Sequence, residues 1–275
     1  MTKERNEDTS GRAGRPWGVY NLSEESPVTV VLGPQVIWLR LRDGEVWLAH
    51  APRDPSATQR GERSPVPPPD DPSWERWATA GRVSRVELKP VLSSRPVVLQ
   101  PERTFRLTRG AGARVYVRLP VWIRVQLPGD PPVVLDELPS MTMSDTWWGD
   151  PMRGELAYWL PTTARREMRP ELFLPHVAVC PLQMWNRSAG DLRVERVLLK
   201  VEYLSLFEEA PGRLWTDVST LRYEGEMEES VVEKSGTPPE EAPAARPICP
   251  PRLSAPKGLR AWSFDRIRAG FGMAP

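Results

Sequence analysis

Histidine and cysteine are nearly missing from this chain of 275 residues, which holds two of each. Those side chains carry most nucleophilic, acid–base and soft-metal chemistry, so many enzyme classes fall away at once. No phosphate loop, dinucleotide fingerprint, nucleophile elbow or metal-spaced Cys/His cluster occurs either, and neither a cofactor nor a metal is expected. Excess charge of one sign is also lacking: 37 Lys and Arg face 36 Asp and Glu. A net +1 removes the long-range attraction on which non-specific nucleic-acid and anionic-membrane binding depends. Long apolar runs are missing as well, since Arg or Glu interrupts them every second or third position, and no stretch approaches a membrane span. The opening MTKERNEDTSGRAGR lacks a signal-like apolar stretch, so a soluble cytoplasmic protein is expected. In such a reducing compartment Cys180 and Cys249 are expected as buried thiols rather than a disulfide, and the sequon at Asn186–Ser188 as chance. Only Lys3, Lys89, Lys200, Lys234 and Lys257 are lysine among the basic residues. GC-rich codons and a hot habitat both account for that bias.

Proline (32) and tryptophan (12) are abundant instead. So many prolines exclude long helices and central strands over much of the chain. The segment Pro34–His50, PQVIWLRLRDGEVWLAH, has Asp43-Gly44 between two alternating runs, the signature of a two-residue hairpin. That turn pairs Arg42 with Glu45, Leu41 with Val46, Arg40 with Trp47, Leu39 with Leu48 and Trp38 with Ala49. Ile37, Leu39, Leu41, Val46 and Leu48 then share a core face, with His50 at its end, and Arg40 lies against Trp47 on the other face for a cation–π contact. Period two recurs over Arg114–Leu119 and Val121–Leu127. Pro120 between them marks a bulge, an edge or a corner where the chain changes sheets.

Further strands are expected at Val28–Leu32, Val83–Leu88, Val97–Leu99, Thr104–Leu107, Val133–Leu138, Glu155–Leu160, Ala178–Asn186 and Trp215–Met227. The segment Leu192–Phe207 fits both a helical stripe and a strand face; its valines and aromatics favour one long strand. A short helix is expected over Leu259–Phe271. The fold class is therefore all-β, an antiparallel sandwich or barrel of two packed lobes with proline-rich loops. The expected organisation is a disordered tail over residues 1–16, a first lobe over 17–110 with a mobile insertion at 52–72, and a second lobe over 111–232. An unstructured proline-rich linker over 233–256 and a C-terminal segment over 257–275, read as a docking helix, complete it.

The most unusual string is Ser140–Tyr158, SMTMSDTWWGDPMRGELAY. It offers three oxygen ligands, Asp145, Asp150 and Glu155, beside Trp147 and Trp148, with Gly149 and Gly154 permitting tight turns. Three readings compete: a divalent-cation loop, a carboxylate pair acting on glycans with a tryptophan platform, and a turn whose aspartates cap backbone N–H groups while one tryptophan fills the core. Arg165, next to Arg166, is a candidate anion ligand or a solvated strand end. The run Glu224, Glu226, Glu228 and Glu229 reads as a solvated face.

Taken in order, WGVYNLSEE (Trp17–Glu25), the hairpin string, SDTWWGDPMRGELAY and CPLQMWNRSAGDLRVERVLLKVEYLSLF (Cys180–Phe207) resemble the family catalogued as domain of unknown function 432. The resemblance implies a cytosolic prokaryotic protein of unassigned role, and no functional residue transfers with it. The proline-rich insertion departs from that family's compact pattern.

The functional expectation is a non-enzymatic interaction or structural module. Trp and Arg dominate interface hot spots, and open sheet edges invite a protein partner or self-association. The alternative is a carbohydrate- or cation-binding protein, or a hydrolase, built on Asp145, Asp150, Glu155 and Trp147 or Trp148.

Overall fold

A computed structural model describes residues 16–53, 74–152, 154–209, 213–225 and 228–264. In chain order the strands are β1 (Gly18–Asn21), β2 (Val28–Leu32), β3 (Gln35–Arg42), β4 (Glu45–Pro52), β5 (Glu75–Ala78), β6 (Arg85–Val91), β7 (Val97–Pro101), β8 (Phe105–Leu107), β9 (Gly112–Pro120), β10 (Trp122–Leu127) and β11 (Val133–Pro139). They continue with β12 (Ser144–Trp148), β13 (Glu155–Thr162), β14 (Val177–Asn186), β15 (Leu192–Val194), β16 (Val197–Leu199), β17 (Leu206–Glu209), β18 (Arg213–Thr216), β19 (Ser219–Tyr223), β20 (Ser230–Lys234), β21 (Arg246–Cys249) and β22 (Arg260–Ala261). Two single 3₁₀ turns, Pro170–Leu172 and Val201–Tyr203, are the only helical elements among the described residues. The protein is all-β, as its proline content and period-two patterning require.

The chain divides into two compact units. The first draws on Met1–Val91, Pro120–Met141 and Leu174–His176, the second on Leu92–Leu119, Thr142–Phe173 and Val177–Pro275. Neither is a consecutive half, in contrast to the division expected at residues 110/111. Pro120 is where the chain changes sheets: β9 pairs with β14, whereas β10, two residues on, pairs with β6 and β11. Without an N–H, proline cannot continue a ladder, so the strand ends there.

In the first unit, sheets β1-β6-β10-β11 and β2-β3-β4-β5 share one core. Ile37, Leu39, Val46 and Leu48 meet Val86, Leu88, Ile123 and Val125 across it. The β3–β4 register is the expected one, from Arg42 opposite Glu45 to Trp38 opposite Ala49. Positive φ at Asp43 (51°) and Gly44 (77°) supplies the turn geometry the hairpin needs. The opposite face is buried too, by Val36, Trp38, Trp47, Ala49 and Trp74. His50 departs from expectation: it lies opposite Ile37 but is exposed, beyond the end of the core.

The second unit contains the mixed sheet β12-β13-β7-β16, the larger sheet β21-β17-β18-β14-β19-β20-β22 with β9 on β14, and the pair β15-β8. Antiparallel contacts are joined by three parallel ones, β13 with β7 and β14 with β18 and β19. Leu192–Phe207 is not one long strand. It breaks into β15, β16 and a 3₁₀ turn before β17, and these strands pair with β8, β7 and β18 in turn. Each piece enters a different sheet and buries a different face, which is why the apolar pattern fits two periods at once. Trp215–Met227 likewise splits into β18 and β19.

The linker expected over 233–256 is built into the fold. It begins in β20, contains β21 on β17, and buries Ala242 and Ala245 beside Trp215 and Phe207. Glu241 accepts hydrogen bonds from Tyr116 Oη and from Arg114 Nη2 (2.9 Å), and Arg252 Nε donates to the Leu92 carbonyl at 2.6 Å. Proline content misleads here because the segment is held by few but long-range contacts. The expected C-terminal helix is absent as far as Phe264: β22 pairs with β20, and Phe264 bridges Val197. The rest of that helix, the tail over 1–15 and most of the insertion at 52–72 lie outside the described residues. Neither cysteine is in a disulfide and both are buried, and burial pushes the Cys180 thiol up to about 12. Asn186 is buried with its side-chain amide donating to the Leu107 and Gly190 carbonyls, so the sequon is spent on structure.

Candidate functional site

The string Ser144–Tyr158 folds as the β12–β13 hairpin. Its tip is closed by Asp150. Oδ1 accepts the Met152 N–H at 2.9 Å, and the carbonyl accepts the Gly154 N–H at 2.7 Å and the Trp147 indole N–H at 3.1 Å. Gly149 takes a φ of 100°, and a Cβ on Gly154 would come within 2.5 Å of the Trp148 carbonyl oxygen and 2.7 Å of that of Asp150. Both glycines are therefore required by this turn, one by conformation and one by space.

Cross-strand partners share a face. Asp145 opposes Tyr158 and Trp147 opposes Leu156, while Thr146 opposes Ala157 and Trp148 opposes Glu155. The two tryptophans thus point to opposite sides. Trp148 packs with Val98, Ala157 and Leu198, and its indole N–H donates to the Trp262 carbonyl. Arg196 lies 5.8 Å from the Trp148 ring and 5.9 Å from that of Trp159. On that side Glu155 binds Lys200 Nζ at 2.5 Å, and Glu202 Oε1 stands 3.8 Å from the same ammonium. Glu202 is buried, and desolvation raises its pKa above the usual carboxylate range, against the opposing pull of Lys200.

The other face is open. Trp147 is 52% exposed, Met152 89% and Leu156 41%, three of the nine large apolar side chains that stand exposed among the described residues. Asp145 beside them accepts from Arg95 Nη1 at 3.1 Å, and the Arg95 guanidinium lies 5.4 Å from the Tyr158 ring. Strand β12 is the edge of its sheet, paired among the described residues with β13 alone. An apolar patch rimmed by an ion pair on an unpaired edge is the surface that a docking polypeptide uses.

The three carboxylates do not come together. Asp145 and Glu155 occupy opposite faces with different cations, and Asp150 serves the turn. Among the described residues no group of three or more His, Cys, Asp or Glu could hold a metal ion. Arg165 lies elsewhere: its backbone exchanges hydrogen bonds with Tyr116 (2.7 and 3.1 Å), and its side chain is exposed. Sequence reasoning missed Arg95, Lys200 and Glu202, which reach the hairpin from 45 or more residues away and carry no local signal. Met152 and Leu156 stood inside the string without being singled out. No described helix is long and apolar enough to cross a membrane.

No curated protein and no solved structure matches the chain. A family model described as a protein of unknown function, DUF432, matches residues 16–265. That span takes in every strand described above, and the chain belongs to the DUF432 family.

Proposed function

We propose that the chain is a non-enzymatic protein-interaction module that takes an extended segment of a partner polypeptide at the β12 edge. The observation that carries this reading is the half-exposed Trp147 on a strand with one free edge among the described residues, with Leu156 opposite it and Met152 in the adjoining turn. Main-chain hydrogen bonds to a free edge give affinity, and alternate side chains landing on an aromatic give specificity. Trp is also the residue most enriched where binding energy concentrates. Two buried thiols outside any disulfide suit work in a reducing, prokaryotic cytoplasm.

The test is selection of random peptides on the immobilised full chain, with the affinity of enriched peptides measured for wild type and Trp147→Ala. The expected result is peptides with apolar residues at alternate positions, bound at least about tenfold more weakly by the variant, a loss near 1.4 kcal/mol. Equal affinity for both proteins, or no enrichment, contradicts the reading. Sedimentation velocity shows whether a second copy fills the same role: a dimer that Trp147→Ala dissociates assigns the strand to a second copy.

A further inference from the structure

The second unit contains a cavity of about 240 Å³ between the Val201–Tyr203 turn, β19, β20 and the segment Ala255–Leu259. Apolar side chains dominate its wall, among them Leu204, Val232 and Leu259. Two of the chain's five lysines, Lys200 and Lys234, line it as well. They differ in commitment. Lys200, whose side chain is 14% exposed, is held by Glu155 and Glu202. Lys234 makes no ion pair or side-chain hydrogen bond among the described residues. Its neighbour Glu233 is bound by Arg222 instead. The buried Asp217 lies within its electrostatic reach, but the two Asp217 oxygens accept the backbone N–H groups of Ser205 (2.9 Å) and Gly236 (3.0 Å).

Ser219 is the cross-strand partner of Lys234, so the two side chains share a face, and Ser219 and Tyr203 both line the cavity. Besides the paired Lys200 and the Arg222-bound Glu233, the wall offers one uncommitted ammonium, two hydroxyls and apolar side chains. The volume is below the range of drug-sized ligand sites, which favours a small ligand. A single free cation matches one negative charge; a phosphate dianion calls for several donors or a guanidinium fork.

We propose that this cavity binds a small monocarboxylate with a short apolar tail, its carboxylate on Lys234 and its tail against Leu204, Val232 and Leu259. The site is separate from the β12 edge, and neither proposal depends on the other.

Hexanoate and benzoate, with inorganic phosphate as the charge-only control, are titrated into the full chain and followed by ligand-observed NMR and thermal shift. Saturable binding of a carboxylate in the millimolar range is expected, weakened at least about tenfold in Lys234→Met, a change corresponding to 1.4 kcal/mol. Lys234→Arg should keep binding. Leu259→Trp, which fills the cavity without touching the charge, should abolish it, and Trp147→Ala should leave it unchanged. No binding of either carboxylate, equal binding by Lys234→Met in a protein that melts like wild type, or phosphate binding as tight as hexanoate would each overturn the proposal.

Discussion

The hairpins β3–β4 and β12–β13 are made of the same materials, and each buries tryptophan, but the second leaves one, Trp147, half exposed. In β3–β4 both strands have neighbours on either side, β2 and β5. Trp47 is covered by Arg40 (4.6 Å), Arg42 (5.1 Å) and Arg76 (4.1 Å), with Trp74 at 6.2 Å, and Arg40 lies 4.4 Å over Trp74 in turn. In β12–β13 the outer strand has no second neighbour among the described residues, and Trp147 faces water beside the Asp145–Arg95 ion pair. Guanidinium stacking and a flanking strand are thus available in this protein as ways to cover an indole; Trp148 and Trp159 have Arg196 near them, whereas Trp147 has no guanidinium over its ring among the described residues. A covered tryptophan contributes to folding in proportion to the area it removes from water. A half-exposed one contributes little there, which points to a role outside the fold.

The largest expected effect splits the two hairpins directly. Trp47→Ala should lower unfolding free energy by about 3–5 kcal/mol, the range for truncating a buried aromatic. Trp147→Ala should lower it by less than about 1 kcal/mol, as a surface change does. Urea denaturation of both variants checks this, and similar losses would erase the distinction. A second contrast uses the turns. Gly154→Ala forces a Cβ against two backbone carbonyl oxygens, whereas Gly44→Ala has open space and meets only the strain of its positive φ. About 2–3 kcal/mol is expected for the first and about 1 kcal/mol for the second; the reverse order by thermal unfolding contradicts the turn geometry.

A third comparison is in pH. Glu202, beside Lys200 on the Glu155 side of β12–β13, has a folded-state pKa raised by burial. An acid whose folded pKa is raised contributes stability that is complete below its unfolded value, about 4.3, and is lost as pH rises through the folded value. Glu202→Gln should therefore flatten the decline in melting temperature above pH 4. Asp217, raised by burial in the same unit, leaves a residual slope. An unchanged pH profile would remove Glu202 from the account. The smallest effect belongs to Asp145→Ala: its ion pair with Arg95 is exposed (side chains 61% and 40%), so stability should move by no more than about 0.5 kcal/mol while peptide affinity at the β12 edge falls.

The two hairpins were also unequally legible in the sequence. Asp43-Gly44 carries its own turn geometry, so the pairing of β3 with β4 follows residue by residue from local chemistry; Pro120 marks an interruption in the same way, but that it is a change of sheet rather than a bulge or an edge is read from the sheet order. For β12–β13 the string itself stood out, and the opposite orientation of Trp147 and Trp148 follows from strand periodicity. Which of the two meets water does not, because Trp148 is buried by Val98, Leu198 and the Trp262 carbonyl, which come from far along the chain. The same holds for the partners of the carboxylates: Arg95 and Lys200 are placed by sheet order, which local patterns do not encode. The segment 233–256 was misread for a related reason. Composition reports what a stretch can bury by itself, whereas Ala242, Ala245 and Glu241 are ordered by Trp215, Arg114 and Tyr116.

The decisive measurement is made on one variant, Trp147→Ala, by recording urea unfolding and the affinity for selected strand-forming peptides on the same preparation. The account predicts an unfolding free energy within about 1 kcal/mol of wild type together with at least a tenfold loss of affinity. A large loss of stability, or peptides that bind the variant as tightly as wild type, would show that Trp147 belongs to the fold rather than to a docking face.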